Sequence, residues 1–209
     1  MKDIDKLIKN VQKIQHGFLD IQKTAYDIVE ECSVTDSRKI AEKLYRSEIY
    51  QARSLATFIF GRLAAGSEEI LVLLKCKVSK DNDWRVQEIL AKAFDRYCSD
   101  IGYESALPVI REWLSDPAPT VRRAVTEGLR IWTGRPFFRD HPQLAVNLLS
   151  QLRDDESVVV RKSVGNALRD ISKKHGGLVK NELAQWDISK INIKQTYKLA
   201  NRFLTKKSV

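Results

Sequence analysis

Apolar positions recur at three- and four-residue intervals along nearly the whole chain. That is the period of helices that each bury one stripe. No run alternates apolar and polar residues for long enough to predict a strand. The spacing predicts helices over 3–15, 18–32, 36–46, 48–65, 67–77, 83–99, 103–115, 119–132, 142–153, 156–174, 178–186 and 192–205. Start and stop residues mark their ends. Gly66-Ser67 precedes Glu68 and Glu69, and Asp116-Pro117 breaks one helix before Pro119 begins the next. Asp140 precedes Pro142, and Gly176-Gly177 is read as the end of the long helix before it.

Four of these segments superimpose. They are QARSLATFIFGRL from Gln51, VQEILAKAFDRYC from Val86, VRRAVTEGLRIWT from Val121 and VRKSVGNALRDIS from Val160, with starts 35, 35 and 39 residues apart. A helix pair repeated at this period predicts an all-α superhelix, a solenoid whose second helices line a concave face. The whole chain, 1–209, reads as one repeat domain. Residues 1–80 supply N-terminal helices, 81–175 the repeats with the candidate site, and 176–209 capping helices. The longer last interval falls in WTGRPFFRDHP, residues 132–142. This stretch is either a connection whose aromatics cap the core or a DNA-contacting loop using Arg135 and Arg139.

Between the apolar stripes the repeats carry polar pairs four residues apart: Glu88 and Lys92, Arg123 and Glu127, Lys162 and Asn166. Arg53 and Thr57 fall at the same places in the earlier copy, and Asp170 extends the last row. Stacked repeats would bring Glu88, Arg123, Glu127, Lys162, Asn166 and Asp170 onto one strip. Such a strip is either a ladder of inter-repeat salt bridges or a polar cluster with enzyme-like chemistry. Trp84 stands one turn before Glu88. Its ring either packs under the preceding turn or offers its π-face to a cationic ligand. Arg85, Arg122 and Arg161 are read as repeating at one position beside the strip. Arg169, Lys173 and Lys174 follow, and the last helix adds Lys194, Lys198, Arg202, Lys206 and Lys207. A cation repeated in this way predicts a track along a phosphate backbone.

Composition narrows the classes. The 209 residues are 43% hydrophobic and 30% charged, which suits one globular domain with a real core. A formal net charge of +9 favours a polyanionic partner. No stretch approaches the roughly 20 apolar residues of a membrane span. The N-terminal MKDIDKLIKN lacks the form of a signal peptide, so the expected location is cytoplasmic. Cys32, Cys76 and Cys98 are odd in number and widely spaced, forming neither a disulfide framework nor a metal pattern. Gly-rich phosphate loops, HExxH, GxSxG and CxxC are all missing, and His16, His141 and His175 are scattered. Nucleotide hydrolysis, zinc chemistry and serine hydrolysis therefore find no support, and no metal or cofactor is expected.

WRVQEILAKAFDRYC, VRRAVTEGLRIW and RPFFRDHPQLAVNLLSQLRDDESVVVRKSVGNALRDISKKH resemble the HEAT-like-repeat DNA alkylation-repair glycosylases, the AlkD/AlkC group. The resemblance is strong over 80–175 and architectural over the first 80 residues. It implies HEAT-like repeats with a concave basic groove, duplex DNA as partner and a monomer. It also implies excision of cationic N3- and N7-alkylated purines by hydrolysis of the N-glycosidic bond. By motif, Glu88, Arg123, Glu127 and Asp170 match AlkC-type active-site positions. Trp84 and Glu88 match the Trp and Asp of the AlkD type, and Asn166 agrees better with AlkC. The site that follows is Glu88, Glu127, Asp170 and Arg123 for catalysis. Trp84, Arg85, Arg122, Arg135, Arg139, Arg161, Lys162, Asn166, Arg169 and Lys173 would contact DNA. The alternatives from other classes are a non-catalytic protein binding damaged or branched DNA and a protein–protein scaffold.

Overall fold

The structure, a computed structural model, describes residues 2–205. They form thirteen α-helices joined by turns and short 3-10 segments, with no strand among the described residues. None of these helices is long and apolar enough to cross a membrane. The chain divides between Ile101 and Gly102 into two compact units.

The first unit holds α1 (Ile4–Gln12), α2 (Leu19–Glu31), α3 (Val34–Leu44), α4 (Tyr50–Leu63), α5 (Glu68–Cys76) and α6 (Trp84–Ile101). Side-chain oxygens of Asp3, Ser33 and Ser67 accept from free N–H groups in the first turns of α1, α3 and α5. Glu68 and Glu69 follow Ser67, acidic residues at the positive end of the helix dipole. α4 is the core element, buried along almost its whole length. A Cβ on Gly61 would stand 2.7 Å from the Cα of Ala93, so α4 and α6 meet there backbone to backbone.

The second unit holds α7 (Leu107–Leu114), α8 (Pro119–Gly128), α9 (Pro136–Asp140), α10 (Pro142–Ser150), α11 (Val158–Ser172), α12 (Gly176–Leu183) and α13 (Ile191–Ala200). α8, α9 and α10 each open on a proline, whose missing N–H would have no partner in a first turn anyway. α11 is the buried counterpart of α4, and Gly165 lets α13 approach it.

Three sequence expectations change here. The helix placed at 119–132 stops at Gly128, whose carbonyl accepts from Arg135 Nη2 at 3.2 Å. The stretch 132–142 contains a 3-10 turn and the short helix α9. Its Trp132 and Phe138 are fully buried, 5.0 Å apart between ring centroids, with Tyr103 against Phe138 at 6.3 Å. The aromatics of this connection therefore cap the core. Gly176-Gly177, read as a helix end, opens α12, and α11 already ends at Ser172.

Candidate functional site

A network below α6 fixes where its first turn stands. Arg53 grips Asp81 with two bonds, Nε to Oδ2 at 2.8 Å and Nη2 to Oδ1 at 3.1 Å. Its Nη1 donates to the carbonyls of Ser47 and Glu48 at 2.9 and 3.0 Å. Tyr45 donates its hydroxyl to the same Asp81 at 3.1 Å. Burial first, then the Asp81 charge, pushes the Tyr45 phenol far above its ordinary value, so it stays a donor. Gln87 donates to the Asp81 carbonyl at 2.7 Å. Asp83 then accepts the Arg85 backbone N–H at 2.9 Å, satisfying a free donor at the start of α6.

On this anchored turn Trp84 is 67% exposed. Of the two readings open for it, the structure has the exposed one. Glu88, one turn on, is half-buried. It lines a cleft of about 490 Å³ with Phe18, Tyr50 and Trp84, over a floor of buried Ile21 and Ile89. The Arg85 guanidinium lies 3.4 Å from the Tyr50 ring centroid and pairs with Asp83 at 2.6 Å. That pairing holds the Asp83 carboxyl below its usual range. Lys92 places its amine 5.6 Å from the Phe18 ring centroid.

The second unit gathers Glu127 and Asp170. Asp170 is buried beneath three cations: Arg130 Nε at 2.9 Å, Lys173 Nζ at 3.1 Å and Arg169 Nη2 at 3.3 Å. Burial alone would raise its carboxyl, but hydrogen bonds from Arg130 and Lys173 outweigh that and hold it below the usual range. Arg130 also reaches Glu127 Oε2 at 3.4 Å. The sequence analysis placed Arg123 among the catalytic residues and passed over Arg130. Its signal was there in the three-residue step from Glu127, which puts the two on one face of a turn. Arg123 and Asn166 are half-buried nearby in sequence, and Lys162 is exposed.

Two members of the expected phosphate track belong to the framework instead. Arg122 and Arg161 are 7% and 6% exposed. Arg122 pairs with Asp155 at 2.7 Å and donates to the carbonyls of Asp116 and Pro117. Arg161 donates to the carbonyls of Asp155 and Glu156 and to Gln195 Oε1 at 2.7 Å. Arg53 does the same with Ser47 and Glu48, so the shared position is Arg53, Gln87, Arg122 and Arg161, and Arg85 is not part of it. The first repeat therefore starts at Ala52, not Gln51, and Ser54, not Arg53, matches Glu88. Arg135 donates to the Gly128 and Arg130 carbonyls. Arg139 is exposed beside Asp140.

A model of the family described as DNA alkylation repair enzyme matches residues 18–203. The crystal structure of AlkD2 from Streptococcus mutans is 48% identical, with 96% of both chains covered and a TM-score of 0.94. The alkylpurine DNA glycosylase AlkC of Pseudomonas fluorescens, solved bound to DNA containing an abasic site analog, is 23% identical with a TM-score of 0.54. That match covers 98% of this chain and 63% of AlkC, and it establishes a common fold of helical repeats. YhaZ of Bacillus subtilis, an uncharacterized protein, is 36% identical over 87 residues, 40% of this chain and 24% of its own length.

Proposed function

Because the chain belongs to the DNA alkylation repair enzyme family, we propose that it is a DNA glycosylase that hydrolyses the N-glycosidic bond of cationic N3- and N7-alkylated purines in duplex DNA. The observation that carries this reading is the exposed Trp84 one helical turn from Glu88, in an aromatic cleft and on a turn locked by Arg53 and Asp81.

An N-alkylated purine is already positive, so it leaves without being protonated. As the bond from C1′ to nitrogen breaks, its electron pair goes to the purine and neutralises it. The sugar becomes electron-poor at C1′. Glu88 holds a water, accepts its proton, and the water oxygen bonds to C1′. Trp84 offers its π-face to the cationic base. Glu127, in the second unit, is a half-buried carboxylate beside Arg130. Asp170, deep under three cations, fixes Arg130, Arg169 and Lys173 rather than lending its own charge. Lys162 and Arg139 are exposed cations for the DNA backbone, with Lys173 and Arg169 beside Asp170 and Arg123 and Asn166 half-buried near them in sequence; Arg85, stacked on Tyr50, stays by the cleft.

A second reading, binding of damaged DNA without excision, draws on the same neutralised Asp170: one of three expected carboxylates has no free charge to offer a positive sugar. Single-turnover release of N3-methyladenine and N7-methylguanine from alkylated duplex DNA separates the two. Release by the wild type, lost in Glu88→Gln while DNA binding persists, supports the glycosylase. No release by the wild type, with salt-sensitive binding intact, replaces it with the binding protein.

A further inference from the structure

The last helix carries a row of cations that neither the fold nor the candidate site uses. α11 and α13 superimpose without a gap: Val160, Ser163 and Ala167 correspond to Ile193, Thr196 and Ala200, and all six are buried. At two positions of this register α8 and α11 meet the repeat that follows. Arg122 reaches Asp155 just ahead of α11, and Arg161 reaches Gln195 in α13. Thr126 touches Ser163 at 2.6 Å, and a Cβ on Gly165 would meet Leu199. α13 holds Lys194 and Lys198 at these two positions, and Arg202, just past its end, falls where α11 has Arg169. All three are exposed, and their side chains form no hydrogen bond or ion pair among the described residues. The strip itself, continued from Lys162 and Asn166, passes one residue away through Gln195 and Leu199, both uncharged.

The row has one sign throughout. No acid occurs between Asp187 and Thr205, whereas Lys190, Lys194, Lys198 and Arg202 recur every four residues, about 6 Å apart along the axis. Like charges at this spacing destabilise a helix. An end face of a repeat stack must be polar to stay soluble, but mixed signs achieve that without repulsion. α3 does so, pairing Arg38 with Glu42 at 2.9 Å. We propose that the outer face of α13 is an accessory surface for the phosphate backbone of undamaged duplex DNA, engaged away from the candidate strip and without regard to a lesion. Evenly spaced point charges suit a backbone of evenly spaced phosphates, whose condensed counterions they release. A lipid surface would also ask for apolar groups along the row. The open ones nearby, Ile188 and Ile191, both lie at its start. The choice of DNA among polyanions rests on the proposed function; the unneutralised row does not. Contact of this kind is independent of sequence and holds the protein on the duplex while it slides between lesions.

The test follows the anisotropy of a short, labelled, undamaged duplex bound by the full chain across a salt series. The combined variant Lys194→Gln, Lys198→Gln and Arg202→Gln is expected to lower the slope of log affinity against log salt by about 2–3. A control that combines Lys9→Gln, Lys13→Gln and Lys23→Gln removes the same charge from exposed residues of the first unit and leaves the slope at the wild-type value. An unchanged slope in the α13 variant, or an equal drop in the control, overturns the proposal. So does wild-type binding to anionic phospholipid vesicles with no affinity for the duplex at low salt, which assigns the row to a membrane surface. Release of N7-methylguanine from alkylated duplex is measured at saturating protein on the same preparations, and the α13 variant is expected to keep the wild-type rate. A slower rate moves the row into the site and overturns its accessory role. No release by any preparation, with the slope difference intact, removes the glycosylase and leaves this surface; release without a slope difference does the reverse.

Discussion

Arg122 and Asp155 form a buried two-bond ion pair, Nε to Oδ2 at 2.7 Å and Nη2 to Oδ1 at 2.8 Å, across 33 residues of chain. The remaining guanidinium nitrogen serves the carbonyls of Asp116 and Pro117. Each nitrogen of this guanidinium thus donates inside the protein. Removing one partner strands the other charge where water does not reach it. Arg122→Ala is expected to lower stability by about 3–5 kcal/mol, read by urea unfolding. An effect under ~1 kcal/mol, the size of a surface pair, would show that the pair is solvated.

Salt dependence distinguishes framework arginines from DNA-contacting ones. If the exposed Lys173 and Arg139 each neutralise a phosphate, replacing either with alanine lowers the slope of log affinity against log salt by about 1. Arg122→Gln, measured where the variant is folded, leaves that slope unchanged. A slope that drops for Arg122→Gln would return this residue to the DNA surface.

Asp170 predicts an acid-sensitive contribution. Its folded carboxyl lies below the ordinary value, so it binds a proton less readily in the folded than in the unfolded chain. The stability it contributes is complete above the unfolded value of about 3.9 and is lost as pH falls through the lower folded value. The gap in unfolding free energy between wild type and Asp170→Asn is therefore wide at neutral pH and closes under strongly acidic conditions. A gap that stays constant with pH would mean that the carboxylate charge contributes nothing.

Gly165 tests packing against propensity. Alanine favours a helix over glycine by about 1 kcal/mol. Yet a Cβ there would stand 2.6 Å from Leu199 Cβ and 2.9 Å from the Thr196 carbonyl oxygen. Overpacking of this kind costs about 1–3 kcal/mol, so Gly165→Ala is expected to destabilise on balance, in urea melts. Stabilisation by this change would mean that α11 and α13 sit farther apart than the structure places them.

By itself the sequence determined the helices, their caps and the repeat, because a 3.6-residue stripe and residues such as Ser67 and Pro119 act through neighbours in the chain. Trp84 and Glu88 were legible for the same reason: four residues apart on one helix, they share a face whatever surrounds them. The tertiary structure alone decided which cations are free. Arg122 and Arg169 read alike as letters, yet one lies buried on Asp155 and the other half-exposed at Asp170, and the partners come from 33 residues away in one case and from the adjacent residue in the other. The one-residue error in the first repeat, Gln51 for Ala52, came from the same source. Apolar spacing fits either register, and only the bonds from Arg53 to Asp81 and to the Ser47 and Glu48 carbonyls choose between them. Local periodicity fixes which face a side chain shares; the charge it meets depends on a segment far off in sequence, and that is settled when the helices pack.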